Sequence, residues 1–338
     1  MALYCGIDLH SNMSWVVILN EQGKVVLQRK LLNEMGRFLN ELEPYKDELE
    51  SIAVESTYNC YWLVDGLQES GYEVRLVNPT KAEQYSGLKY TDDRHDARWL
   101  AEMSRLRILP TGYIYPKEQR GIRDLLRKRL RLVRQRSSNL VSLKNGIERQ
   151  SGEKVKTNDL KRWGNDYIEA KQYDSHVELS FKSTFKVAEA IDEQVRCIEK
   201  VALRLVKQHP KYGVMKTVPG VGNVLAWTIL YETGPIERFP SVGDYASYCR
   251  GVGSERLSNG KKKGKGNRKN GNVYLAWAFM EAAHFAIRYE PKAKAFYERK
   301  LRRSHRIVAL KALAHKLARA SYYMMRDGVV FDPSKAFG

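Results

Sequence analysis

Three short segments carry acids where chemistry could be done: Asp8 in YCGIDLHS, Glu55 in IAVEST, and Asp93 with Asp96 in DDRHDA. Asp8 and Glu55 each close a short apolar run. Asp93 and Asp96 stand at i, i+3 where a helical pattern begins, so their side chains share one face. Taken singly, each acid is more simply a strand or helix cap. Four of them in this order make a ligand set for hard divalent cations, because Mg2+ binds through a few carboxylates together with substrate phosphates. A two-metal site of that kind clamps the attacking and leaving oxygens of a phosphodiester. Asp8, Glu55, Asp93 and Asp96 are therefore the candidate Mg2+ ligands and catalytic acids. Asp92, just before Asp93, allows a one-residue shift in that assignment.

A second candidate site is basic. Residues 254–271 read SERLSNGKKKGKGNRKNG, and from Arg256 onward they hold seven cations and no acid: Arg256, Lys261, Lys262, Lys263, Lys265, Arg268 and Lys269. A segment this charged and glycine-rich is expected to be a loop that orders on a phosphate backbone. Ser258 lies at its upstream edge. A serine among lysines can attack phosphorus, since the cations stabilise the charged transition state; taken alone, it is more simply a loop hydroxyl. Upstream, VPGVG (218–222) resembles the turn of a helix-hairpin-helix, where Gly220 and Gly222 would let backbone amides approach a phosphate. Lys117–Arg136 carries nine basic residues against two acids, beside an apolar stripe. Arg127 and Arg131 on that helix are candidate phosphate contacts, and a solvated structural arm is the alternative.

The charge is divided along the chain. Residues 1–97 carry nine lysines and arginines against sixteen acids, while the whole chain is +19. Such asymmetry suggests an acidic module for metal and a basic remainder for a polyanion. Nucleic acid fits best, because the basic residues lie among tyrosines that can stack on bases. The four cysteines have no C-x-x-C or zinc spacing and fit a reducing cytoplasm. No stretch approaches the roughly 18 apolar residues of a membrane span, and the N-terminus lacks a signal-peptide layout. A soluble cytoplasmic protein without membrane partners is expected.

The elements that must position these groups follow from the hydrophobic pattern. Residues 3–8, 14–20 and 24–31 read as three successive strands. A helix at about 35–49, a strand ending at Glu55, a helix over 57–70 and the strand YEVRLVNP follow. The order β-β-β-α-β-α-β-α is that of a ribonuclease H-like α/β layer fold, in which a first-strand carboxylate is joined by others from a later strand and a final helix. Helices at about 117–149 and 176–208, separated by a polar break at 151–165, predict an antiparallel coiled-coil hairpin. Helices at about 272–289, 291–302 and 304–326 close the chain. The expected domains are 1–110, α/β and metal-binding; 111–209, a coiled-coil linker; and 210–338, mainly α-helical.

GIDLHS, VEST-x-x-x-YWLVDGLQESGYEVRLVNP, DRHDARWLA, LRKRLRLVRQR, VPGVG and SERLSNGKKKGKGNRKNGNVYLAWAFMEAA stand in an order that, over nearly the whole length, resembles the DEDD-type transposases of insertion-sequence family 110. That family includes Piv-like invertases and bridge-RNA-guided recombinases. The resemblance implies a RuvC-like domain holding Mg2+ on Asp8, Glu55, Asp93 and Asp96, and a C-terminal transposase domain whose serine becomes linked to DNA. It puts Ser258, first in S-x-G, in that role. The family's proline shortly before the serine is missing from CRGVGSERLSNG, which leaves Ser254 as second choice. The resemblance also implies donor and target DNA, a guide noncoding RNA, and a homo-oligomer, dimer or tetramer, with a composite site between protomers. The alternative is a RuvC-like metal-dependent nuclease, similar to Holliday-junction resolvases, in which water attacks. A tyrosine recombinase fits poorly, because its H-x-x-R would be His95–Arg98, inside the acidic module.

Overall fold

The computed structural model describes residues 1–78, 93–252, 255–258, 261–265 and 270–338, with the backbone alone for 163, 255–258 and 262–265. It forms two compact units, Met1–Lys117 and Glu118–Gly338. Among the described residues no helix is long and apolar enough to cross a membrane.

The first unit is built on a five-stranded mixed sheet. Strands β1 (Leu3–Leu9), β2 (Met13–Leu19) and β3 (Val25–Leu32) form an antiparallel meander, and β4 (Leu49–Glu55) and β5 (Val74–Val77) add in parallel on the other side of β1, giving the order β3-β2-β1-β4-β5. The central strand β1 is buried along its whole length. Its two-residue alternation sends Leu3, Cys5, Ile7 and Leu9 to one face. There they pack with Phe38 and Leu42 of α1 (Met35–Leu42) and with Leu63 and Leu67 of α2 (Tyr61–Glu69). α1 ends earlier than the sequence pattern suggested, where Pro44 opens a single 3-10 turn.

Tyr4, Gly6 and Asp8 belong to the opposite face, which α3 (Asp93–Arg105) covers. Small residues on α3 make this possible: Ala97 and Ala101 pack with Val17 and Leu19, and the Ser104 hydroxyl meets that of Ser51 on β4 at 3.0 Å. The closest approach is at Gly6. A Cβ there would lie 2.1 Å from the Ala97 carbonyl oxygen and 2.5 Å from the Ala101 amide nitrogen. The helix backbone thus rests directly on the strand, one turn below Asp93 and Asp96 and two residues before Asp8.

The second unit is helical apart from one hairpin. α4 (Lys117–Ser151) and α6 (Ser175–Val206) run antiparallel: Arg129 pairs with Glu199, Arg136 with Asp192, and Gly146 packs on Phe181. Between them lies α5 (Thr157–Ala170), in the stretch read from sequence as a polar break. Its Leu160 and Ile168 enter a small core with Leu143, Ile147, Phe181 and Phe185. Gly164 breaks the helical geometry at φ +40°, where Phe185 leaves no room for a side chain.

The remaining helices are α7 (Tyr212–Met215), α8 (Asn223–Thr233), α9 (Val242–Tyr248), α10 (Val273–Tyr289), α11 (Pro291–Leu301), α12 (Arg306–Asp327) and α13 (Pro333–Phe337). Their shared core includes Tyr245, Phe279, Leu313 and Leu317. α10 is alanine-rich on its inner face, with Ala278, Ala282, Ala283 and Ala286 buried, so neighbouring backbone can come close. Strands β6 (Glu255–Ser258) and β7 (Lys261–Lys265) pair as an antiparallel hairpin between α9 and α10.

G6A should therefore cost about 1–3 kcal/mol or more, the usual range for overpacking a core, because backbone cannot yield as a flexible side chain would. Thermal denaturation should show a clear drop in Tm for the variant. An unchanged Tm would mean that α3 can shift off β1 without penalty.

Candidate metal centre and basic hairpin

The end of β1 delivers Asp8 to the face where α3 begins. Asp8 is 1 % exposed. His10, two residues on, spans the gap between two acids: its Nδ1 is 3.4 Å from Oδ2 of Asp8, and its Nε2 is 3.6 Å from Oδ1 of Asp93. One ligand atom from each of Asp8, His10 and Asp93 lies within 4.8 Å of the others. Asp93 and His10 are about half exposed, so the cluster is buried at Asp8 and open to solvent at the other end.

Glu55, at the end of the neighbouring strand β4, and Asp96, on the first turn of α3, act on the same carboxyl. Burial pushes Asp8 up, His10 pulls the other way, Glu55 raises it further by charge and by a hydrogen bond that the protonated form makes, and Asp96 adds repulsion; the result is a carboxyl raised to about 7. The buried Oδ2 of Asp8 receives no hydrogen bond. A buried carboxylate among like charges is costly unless a cation or a proton compensates it. The donor set of carboxylate oxygens and one imidazole nitrogen fits a divalent cation, which would supply that compensation.

His10 was not singled out from the sequence. The available signal was the D-x-H spacing at a strand exit, since residues i and i+2 of an extended chain share a face. Asp92 lies outside the described residues.

In the basic hairpin, Ser258 is the last residue of β6 and is paired with Lys261 at the start of β7. The structure thus differs from the loop expected over 254–271. In sequence, Asn-Gly between two short runs is a strong hairpin signal, which the lysine content obscured. Lys261 is exposed. Arg256, Lys262, Lys263 and Lys265 lie on the two strands, described by backbone alone, while Ser254, Arg268 and Lys269 lie outside the described residues. The hairpin springs from a closed base. Arg250, at φ +56°, donates from Nε and Nη2 to the Gly271 carbonyl at 3.2 and 3.1 Å, and the Asn272 amide donates to the Tyr248 carbonyl at 2.6 Å.

The other predicted phosphate contacts have structural partners of their own. Gly220, at φ +81°, sits where a Cβ would be 2.3 Å from the Ala282 carbonyl oxygen, so the turn needs glycine in order to pack on α10. Gly222 precedes α8 with open space around it. Arg127 grips the buried Glu232 with two hydrogen bonds, of 2.6 and 2.7 Å, and stacks on Tyr274. The Asn272 amide donates to the same carboxylate at 2.6 Å, and its carbonyl oxygen caps α10. The charge of Arg127 thus ties α4 to α8 and to the base of the hairpin. Arg131 is exposed.

Comparison with known proteins agrees in both units. A family model described as Transposase, for the DEDD transposases of IS110, matches residues 5–149, and a second, Transposase IS116/IS110/IS902 family, matches residues 212–298. The chain belongs to the IS110 family of insertion-sequence transposases and is a DNA transposase. A probable family 20 transposase of Pseudomonas aeruginosa is 23 % identical over 97 % of this chain and 98 % of its own length. The transposase for insertion sequence element IS1328 of Yersinia enterocolitica is 22 % identical over 96 % and 97 %. An uncharacterized 43.6 kDa protein of insertion element IS110 from Streptomyces coelicolor is 28 % identical over 42 % of this chain, and the match spans 36 % of that relative.

Asp8→Asn removes a carboxyl that is ionised among like charges only above about pH 7, so without divalent metal the variant should melt above the wild-type protein at pH 8 and the difference should shrink as the pH falls through 7. Each kcal/mol relieved is worth about 2–4 °C in domains of 150–250 residues and more in smaller ones. Mg2+ or Mn2+ should raise the wild-type Tm and leave that of Asp8→Asn unchanged. Equal metal-induced shifts in both proteins would remove Asp8 from the ligand set.

Proposed function

We propose that this transposase cuts and rejoins donor and target DNA through Ser258, assisted by Mg2+ held on Asp8, Glu55, Asp93 and Asp96. The observation that carries the metal assignment is the Asp8 carboxyl, facing His10 and Asp93 and raised first by its burial and then by Glu55 and Asp96. His10 joins the set as a ligand or as the group that orients Asp8 and Asp93. When bound, the cation supplies charge neutralisation on the phosphate oxygens in flight. The sheet order β3-β2-β1-β4-β5, with acids at the ends of β1 and β4 and on α3, supports a RuvC-like, ribonuclease H-type reading of the first unit.

The Ser258 hydroxyl would attack the scissile phosphorus. An Oγ–P bond forms, the bond from phosphorus to the leaving nucleotide's oxygen breaks, the serine proton goes to a base, and the leaving oxygen takes up a proton. The protein–DNA ester conserves the phosphodiester energy for rejoining, which water attack would not. The placement of Ser258 against Lys261 at the head of a lysine-rich hairpin supports this role over that of a simple hydrolase. A guide RNA that pairs with donor and target, a homo-oligomeric assembly and a cytoplasmic site of action complete the reading. They rest on the family resemblance and on the basic charge outside residues 1–97.

Ser258→Ala should erase any covalent DNA adduct trapped by denaturation while leaving DNA binding intact. Asp8→Asn should abolish strand exchange and also spare binding. An adduct that persists in Ser258→Ala would move the role to Ser254 or another hydroxyl. Cleavage with no adduct in the wild-type protein would favour the nuclease alternative.

The hairpin's electrostatic role has its own measurement. Affinity for duplex DNA should fall with salt at a log–log slope of about −0.9 per neutralised phosphate. Replacing Lys261, Lys262 and Lys263 together by glutamine should flatten that slope by up to about three such increments. An unchanged slope would make the lysines a solvated surface.

A further inference from the structure

We propose that a cavity at the end of α12 holds one unstacked nucleotide of a single strand, with its base against Tyr323 and its phosphate on Lys316, Arg319 and Lys335. The cavity measures about 390 Å3, within the range of ordinary ligand sites. Lys316, Arg319 and Tyr323 stand at i, i+3 and i+7 and so share one face of α12. The chain that follows, from Val329 into α13, makes the opposite wall and brings Lys335.

The acids near this cavity are already engaged. Asp327 is bonded by Arg326 at 2.6 and 2.9 Å. Asp332 caps α13, accepting the amides of Ser334 and Lys335 at 2.8 and 3.3 Å. Among the described residues, no carboxylate lies within 4.0 Å of the side-chain nitrogens of Lys316, Arg319 or Lys335. The local potential is positive enough that Arg319 and Lys316 reinforce the downward push of burial on neighbouring His315.

Two adjacent tyrosines show what the site spares. Tyr322 is 5 % exposed, sits in the core and donates to the Phe239 carbonyl at 3.3 Å. Tyr323 is 39 % exposed, with the Arg326 guanidinium 5.0 Å from its ring centre. Val329 and Val330, at 50 % and 64 % exposure, add apolar surface at the mouth. A flat apolar ring joined to an anion matches a ring, two valines and three cations with no carboxylate within 4.0 Å among the described residues. Bases stack on aromatic side chains with little regard to sequence. Intact duplex keeps its bases stacked and would not enter. Strands opened during recombination, or a single-stranded RNA, present such nucleotides. The inference rests on the family's DNA substrate alone and uses neither Ser258 nor the acidic cluster.

The test uses the full chain in EDTA, so no strand cleavage is involved and a failed serine or metal assignment leaves it unaffected. Short single-stranded oligodeoxynucleotides and oligoribonucleotides carrying one 5-iodouracil are photocross-linked, and the adduct is mapped by mass spectrometry. The expected adduct is on Tyr323, competed by unlabelled single strand and not by duplex. The arm with the stronger yield identifies the strand. In parallel, 2-aminopurine in the same oligomers should be quenched by the wild-type protein and by Tyr323→Phe, but not by Tyr323→Leu, whose affinity should fall about 5–100-fold. Arg319→Gln should flatten the single-strand salt slope by about 0.7. Cross-links confined to other residues, equal competition by duplex, or quenching retained in Tyr323→Leu would each overturn the proposal.

Discussion

Everything in the first unit depends on backbone meeting backbone at Gly6. A strand that carries a buried carboxylate can be joined by two more acids only if the helix bearing them lies almost in contact with it. The absent side chain of Gly6, with Ala97 and Ala101 opposite, permits that contact. Burial on the other face of β1, through Cys5, Ile7 and Leu9, keeps the strand from relaxing away. The electrostatic tension at Asp8 is therefore imposed by packing: the core forces a carboxyl, three acid neighbours and an imidazole into one corner. Such conflicts between stability and local charge mark functional sites.

In the second unit, opposite charges are used twice. Arg127, Arg129 and Arg136 turn into the structure and pair with Glu232, Glu199 and Asp192, holding the long helices and the helical body together. The bidentate pair of Arg127 with the 3 %-exposed Glu232 also receives Asn272, so one buried carboxylate joins three segments distant in sequence. Arginine suits this task, because its planar fork satisfies both carboxylate oxygens at once. Cations left outside, such as Lys128, Arg131 and Arg134, provide the field that a polyanion would meet.

The strands of the first unit and most of the long helices were legible because each depends on local pattern: alternation for β1 to β5 and a 3.6-residue stripe for α4 and α6; the i, i+3 spacing likewise put Asp93 and Asp96 together on the first turn of α3. What sequence hid was non-local. α5 reads as polar because its few apolar residues, Leu160 and Ile168, gain meaning only beside Phe181 and Phe185. Arg127 looks like a phosphate ligand until Glu232, 105 residues away, is brought against it. Gly220 suggests an amide nest, yet the neighbouring helix α10 accounts for it. His10 was in plain view but lacked a partner until Asp93 arrived from the start of α3.

The closed base beneath the hairpin has a consequence for how such enzymes diversify. Arg250 and Asn272 fasten the chain where it leaves α9 and enters α10, so the helical body is closed beneath the hairpin. Changes in length between residues 252 and 270 then add little closure entropy, which grows only slowly with loop length. They need not disturb the core around Tyr245 and Phe279. The segment is in effect an exchangeable tool on a fixed mount. Hairpins of other lengths and charge, taken from distant relatives, could be grafted between Gly251 and Gly271 without redesigning the helices that carry them.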